Sequence, residues 1–221
     1  MKRPALPLML LILASIFLLF LLNLLLGSVH IPFGKIWELL WGIGAASNPD
    51  TMSNQEVIWS NILWKSRVPQ ALTALVAGAG LSVSGLQMQT VFRNPLAGPS
   101  VLGISSGASL GVACVVLLSG AMGGVALSRL GYMGEVALSV AAIIGALSVM
   151  ALIVYVSQKV KGNVTLLIIG VMIGYVASAV IGVLKYFSVE EDIRAYVIWG
   201  LGSFARVSGD QMLLFVCIMA G

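Results

Sequence analysis

Residues 71–92, ALTALVAGAGLSVSGLQMQTVF, run 22 positions without a charge, and Arg93-Asn94-Pro95 closes them. As an α-helix at 1.5 Å per residue they extend about 33 Å, enough to cross a hydrocarbon core about 30 Å thick. Pro95 disfavours α geometry at Asn94, so the helix stops there. The rest of the chain has the same character. Of its 221 residues 59% are hydrophobic and only 9% charged, whereas soluble domains carry about a quarter charged residues. Such a chain cannot cover itself with polar groups in water. The composition excludes a soluble enzyme and a disordered chain and predicts an all-α, polytopic transmembrane bundle.

Working outward, a Leu-rich stretch after Lys2 and Arg3 predicts a first span at about 6–26. A signal peptide would have a shorter apolar region ending in small residues, and Asn23-Leu-Leu-Leu-Gly27 offers no such site. Residues 28–70 read as a mixed connector with a short interfacial helix at Ile36–Trp41, where Trp37 and Trp41 favour the headgroup level. Further spans are expected at 101–118, 136–157 and 164–184. Residues 189–205, dense in charge around Ala195–Leu201, read as an outer amphipathic or re-entrant helix too short to span. A sixth span starts near Gln211, and only about eleven residues of it precede Gly221. The expectation is thus five complete spans and the start of a sixth, within one transmembrane domain over 1–221 that continues beyond Gly221.

Loop charges set the orientation. With the N-terminus inside, the inner segments hold Lys2, Arg3, Arg93, Lys159 and Lys161 and no acidic residue. The longer outer segments hold the other seven basic residues and all eight acidic ones. This satisfies the positive-inside rule with a cytoplasmic N-terminus. The basic residues form no run, so nucleic-acid binding is not expected. Cys114 and Cys217 lie in apolar stretches and read as inert buried thiols.

Small residues recur every four positions on single helix faces: Gly103, Gly107, Gly111; Gly170, Gly174, Ser178, Gly182; Gly78 with Ser82; Gly80 with Ser84. Two readings stand: close helix packing, or a face lining a conduit. The 170–182 stripe is the better conduit candidate because it runs the length of its span. No ionisable residue lies in the middle of any expected span, which argues against an ion-coupled pump. Gly103-Ile-Ser105-Ser106-Gly107 fits G-x-S-x-G and raises an intramembrane serine protease as a rival. The single histidine, His30, is predicted beyond the outer end of the first span, far from Ser105. One histidine supports no metal site, and no phosphate-binding loop is present, so neither cofactor nor metal is expected. A helical channel or scaffold is the other rival.

One region is more specific. Arg67-Val-Pro69 leads to Ser84-Gly85-Leu-Gln-Met-Gln89, then Arg93-Asn94-Pro95-Leu96-Ala97-Gly98-Pro99, Leu102-Gly103 and Gly107-Ala108. It resembles the FecCD-type permeases, the membrane subunits of ABC importers for iron-siderophores, haem and vitamin B12. Their pattern is R-x-P-R, then S-G-x-x-x-Q, then R-N-P-L-A-x-P-x-x-L-G-x-x-x-G-A. The 84–108 motif also has a structural reading, a tight inner hairpin in which Gln89 hydrogen-bonds freed backbone.

The resemblance implies a ten-span subunit in a bacterial cytoplasmic membrane, paired as a homodimer. The solute would pass between subunits beside the fifth span, driven by two cytoplasmic ATPase subunits. A substrate-binding protein would dock outside on permease arginines, which nominates Arg67. Gln70 stands at the second arginine position, and Lys65 is the cation that compensates. The ATPase-coupling helices would follow the sixth span. Membrane lipid is the remaining partner.

Overall fold

The computed structural model describes residues 5–42, 52–121, 132–160, 162–204, 207, 212 and 216. Among them there are helices and no strand: α1 (Ala5–Leu25), α2 (Phe33–Trp41), α3 (Asn54–Ile62), α4 (Val68–Phe92), α5 (Ile104–Ala121), α6 (Tyr132–Ser157), α7 (Asn163–Phe187) and α8 (Glu190–Leu201). Four helical stretches are long and apolar enough to cross a membrane: Leu6–Leu25, Asn54–Phe92, Met133–Ser157 and Asn163–Phe187. The protein is thus an all-α, multi-pass membrane protein. The expected sixth span at 211–221, apart from residues 212 and 216, and Lys161 of the basic turn fall outside the described residues.

The chain forms two compact units, Met1–Gly80 with Ser203–Gly221, and Leu81–Gly202. In the first, residues expected as connector are largely helical. Ser53 caps α3 with a reciprocal capping box to Glu56, and α3 runs through a π turn, Leu63–Arg67, straight into α4. Pro69 sits just beyond that turn. It brings no N–H, and its ring crowds the carbonyl four residues back, at Lys65, inside the widened turn. The Glu and Lys residues of 54–67 hide this continuity from a charge count. Leu24, Ile31, Ile36, Leu39, Leu63 and Ala71 form the core. Lys35 pairs with Glu38 and with Glu56, both at 2.8 Å, tying α2 to α3. The two carboxylates hold the Lys35 ammonium well above the usual lysine range.

In the second unit α5 sits at the centre, against α6, α7 and α8. It starts at Ile104 rather than 101, because Pro99–Leu102 is a 3-10 turn ended by Gly103 at φ 74°. Its contacts fix the directions of its neighbours. Gly107 and Gly111 abut Val149, Gly145 and Ala141 of α6 in reverse order, so α5 and α6 are antiparallel. Gly103 meets Gly170 and Gly174, and farther along Ser188 Oγ donates to the Leu117 carbonyl (3.3 Å), so α5 and α7 are parallel. A Cβ on Gly145 would collide with the Gly107 carbonyl oxygen and reach the Gly111 Cα at 3.0 Å. The 103–111 stripe therefore serves close backbone packing. Cys114, expected buried, is exposed on α5.

Candidate functional site

The α4–α5 hairpin carries the motif residues. Thr90 and Gln89 carbonyls accept from the N–H groups of Arg93 and Asn94 (3.3 and 3.2 Å), the paired bonds of a Schellman C-cap. Arg93 occupies the left-handed position at φ 51°, where glycine is usual. Asn94 Oδ1 accepts from the Leu96 N–H (2.9 Å) and its carbonyl from the Ala97 N–H (3.1 Å). Gln89 Nε2 donates to the Pro95 carbonyl (3.2 Å), and Asn163 Nδ2 at the start of α7 donates to the Val91 carbonyl (2.9 Å). Ala97 is buried with Phe92 and Leu102, while Leu96 is 85% exposed. Ser84, Gly85 and Ala108 are half-buried, and a Cβ on Gly85 would meet no other described residue within 4 Å.

Arg67, expected on a docking surface, is 5% exposed. Its guanidinium donates to the carbonyls of Leu24 (2.6 Å), Leu25 (3.2 Å) and Val29, at the C-terminal end of α1. The cation satisfies orphan carbonyls and sits at the negative end of the α1 dipole. The charge is engaged inside the first unit. Lys65, on the π turn, is exposed.

The 170–182 stripe of α7 divides. A Cβ on Gly170 would meet Leu102 Cα at 2.8 Å and the Val101 carbonyl oxygen at 3.0 Å, so this glycine admits the 3-10 turn. A Cβ on Gly174 would lie 3.3 Å from Ser106 Oγ. Ser178 and Gly182, by contrast, border a recess of about 370 Å³ with Ser105, Ser106 and Ser109 of α5, Ile181 and Lys185 of α7, and Tyr196 of α8. Sequence reading missed the convergence of these groups on α8. Ser105 was visible only as part of a nucleophile-like motif, and the recess offers it neither imidazole nor carboxylate.

Helix α8 makes the third wall. It leaves α7 at Ser188, beside Leu117, and turns back along α5 so that Tyr196 hydrogen-bonds Ser109. Eight residues of α5 separate those levels, so α8 descends by about 12 Å. Burial pushes the Tyr196 phenol above its ordinary range, partly offset by the Ser109 hydrogen bond. Lys185 Nζ lies 4.7 Å from the Tyr196 ring centroid. Asp192, one turn before Tyr196, is 6% exposed and its Oδ2 has no hydrogen-bond partner among the described residues.

Comparison with known proteins supplies the context. The chain is 35% identical over 190 residues to the hemin transport system permease protein HmuU of Yersinia pestis, covering 86% of this chain and 51% of that one. It is 34% identical over 157 residues to the vitamin B12 import system permease protein BtuC of Klebsiella pneumoniae, covering 71% and 44%. The fold matches a metal-chelate type ABC transporter in an inward-facing conformation with a TM-score of 0.68 and 25% identity, over 95% of this chain and 58% of that one. The chain spans about half the length of the relatives it matches. The model of the FecCD transport family matches residues 12–221, and the chain belongs to that family.

Proposed function

We propose that the chain is part of the membrane-spanning permease subunit of an ATP-binding-cassette importer for haem, an iron chelate or a cobalamin. The observation that carries this reading is the family match over residues 12–221 together with relatives named as hemin and vitamin B12 permeases. The fold supports it. Among the described residues the recess holds no imidazole or carboxylate, and no hydrogen bond joins its serines to Lys185, so nothing there favours the protease rival. The candidate spans carry no ionisable group at mid-depth to couple an ion gradient. The energy then comes from companion ATPase subunits on the cytoplasmic side, and a second permease subunit completes the path.

In this reading the N-terminus is cytoplasmic and the protein lies in the bacterial inner membrane. The α4–α5 hairpin, with Arg93 and Pro95, faces the cytosol. Ser178 and Gly182 border the solute path, while Gly170 and Gly174 seat α7 on α5. A substrate-binding protein docks outside, with Lys65 as the exposed cation and Arg67 holding the surface in shape. Reconstitution tests the reading. Proteoliposomes with the full-length permease, its ATPase and its binding protein should accumulate haem, a ferric siderophore or cobalamin only with ATP. Flux that survives removal of the ATPase would refute the importer and favour a channel.

A further inference from the structure

The recess bounded by α5, α7 and α8 has an unbalanced hydrogen-bonding inventory. Lys185 contributes an ammonium with three donors and has no carboxylate within 4 Å among the described residues. Ser105 and Ser106 add two hydroxyls with no hydrogen-bond partner among the described residues, whereas Ser178 already donates to the Gly174 carbonyl (2.9 Å) and Ser109 serves Tyr196. Among the described residues no acidic one lines the space. Spare donors and one positive charge call for an oxyanion. The remaining walls are flat and apolar: the Tyr196 ring, Ile181, and the bare Gly182 backbone, where a Cβ would meet nothing within 4 Å.

We propose that this recess binds the carboxylate or phosphate of an amphipathic molecule, with Lys185 as the residue that selects for the negative group. The Tyr196 ring holds the ammonium at the rim by its π face, and an oxyanion arriving beside it forms a charge-assisted hydrogen bond without first breaking an ion pair. Two sources present this chemistry: an acidic transported solute and the headgroup of an anionic lipid. The proposal deepens the importer reading, but binding requires no transport, so the two stand or fall separately.

The test uses the full-length permease in phosphatidylcholine nanodiscs, titrated with protoporphyrin IX and with its dimethyl ester, whose carboxylates are blocked. Phosphatidylglycerol nanodiscs form the lipid arm. Wild type should bind the diacid about tenfold more tightly than the ester, as expected for one charge-assisted contact. Lys185→Met should abolish that preference and Lys185→Arg should keep it. If phosphatidylglycerol weakens diacid binding in wild type but not in Lys185→Met, the lipid phosphate shares the site; if it has no effect, the solute carboxylate is the occupant. Equal affinity for diacid and ester in wild type, or a preference that persists in Lys185→Met, overturns the proposal. If ATP-driven uptake were absent while the Lys185-dependent preference remained, the importer reading alone would fall.

Discussion

The α5–α6 contact offers a quantitative test, because two glycines in one unit meet opposite surroundings. In Gly145→Ala the new methyl would sit against the Gly107 carbonyl carbon and the Gly111 Cα, each at 3.0 Å, and collide with the Gly107 carbonyl oxygen. Ordinary contact lies at roughly 3.5–4 Å, so the two backbones must part by about 1 Å. The obstacle is main chain on a packed helix, which has no rotamer to change. Separation loosens contacts along the whole shared face, and overpacking of this kind costs about 1–3 kcal/mol. Gly182→Ala is the internal control, since its Cβ meets nothing within 4 Å. Removing a mid-helix glycine there should stabilise by up to about 1 kcal/mol. Unfolding of the full-length protein in bilayers, followed by steric trapping, should resolve the difference. Gly145→Ala should favour the unfolded form by about tenfold or more, and Gly182→Ala should leave it unchanged or reduced. Equal stability of the two variants would refute the close-packing argument.

Arg67→Met should leave the Leu24, Leu25 and Val29 carbonyls without their donor and cost about 3 kcal/mol, read as a lower thermal midpoint with no binding protein present. An unchanged midpoint would return Arg67 to the docking surface. Arg93→Gly should relieve the left-handed backbone at φ 51° and stabilise the hairpin by about 1 kcal/mol; a destabilised variant would mean that the arginine side chain holds the turn. For Tyr196, whose folded pKa is raised by burial, the protonated form is favoured in the folded state. Stability should hold below the ordinary phenol range and fall as pH rises through it and beyond. Tyr196→Phe should remove that alkaline loss, and an identical alkaline profile would contradict the burial argument.

The pattern of what the sequence disclosed follows from the range of the interactions. The uncharged run 71–92 and the stop at Asn94-Pro95 are local, so charge count and proline sterics located the end of α4 to the residue. Four-residue spacing exposed the glycine stripes, but spacing cannot say which backbone lies opposite. Gly107 and Gly111 face α6, Gly103 and Gly170 face each other, and Gly182 faces open space. The run of α3 into α4 was missed because residues 54–67 carry Glu56, Lys65 and Arg67, and hydropathy treats charge as the end of a span. The surroundings of Arg67 were hidden for a related reason. Its partners lie about forty residues earlier in sequence, and nothing local marks an arginine as a helix cap. The recess draws serines, a lysine and a tyrosine from three helices. Only the return of α8 along α5 brings them together.

The π turn at Leu63–Arg67 has a consequence at the level of the gene. The Val68 amide reaches back five residues, to the Leu63 carbonyl, so this stretch carries one residue more than a regular helix needs. Loss of a single codon here would leave the hydropathy profile almost intact and restore an uninterrupted spiral. Five residues of a π turn advance the chain by nearly the rotation of four α residues, so Arg67 would still face α1; closing the turn into α geometry with every residue kept would instead swing it by about 100°. The surplus residue is absorbed where it sits, so the gene can lose it there without rephasing the helix beyond, whereas the same loss in the regular turns of α4 would rotate every later side chain by about 100°.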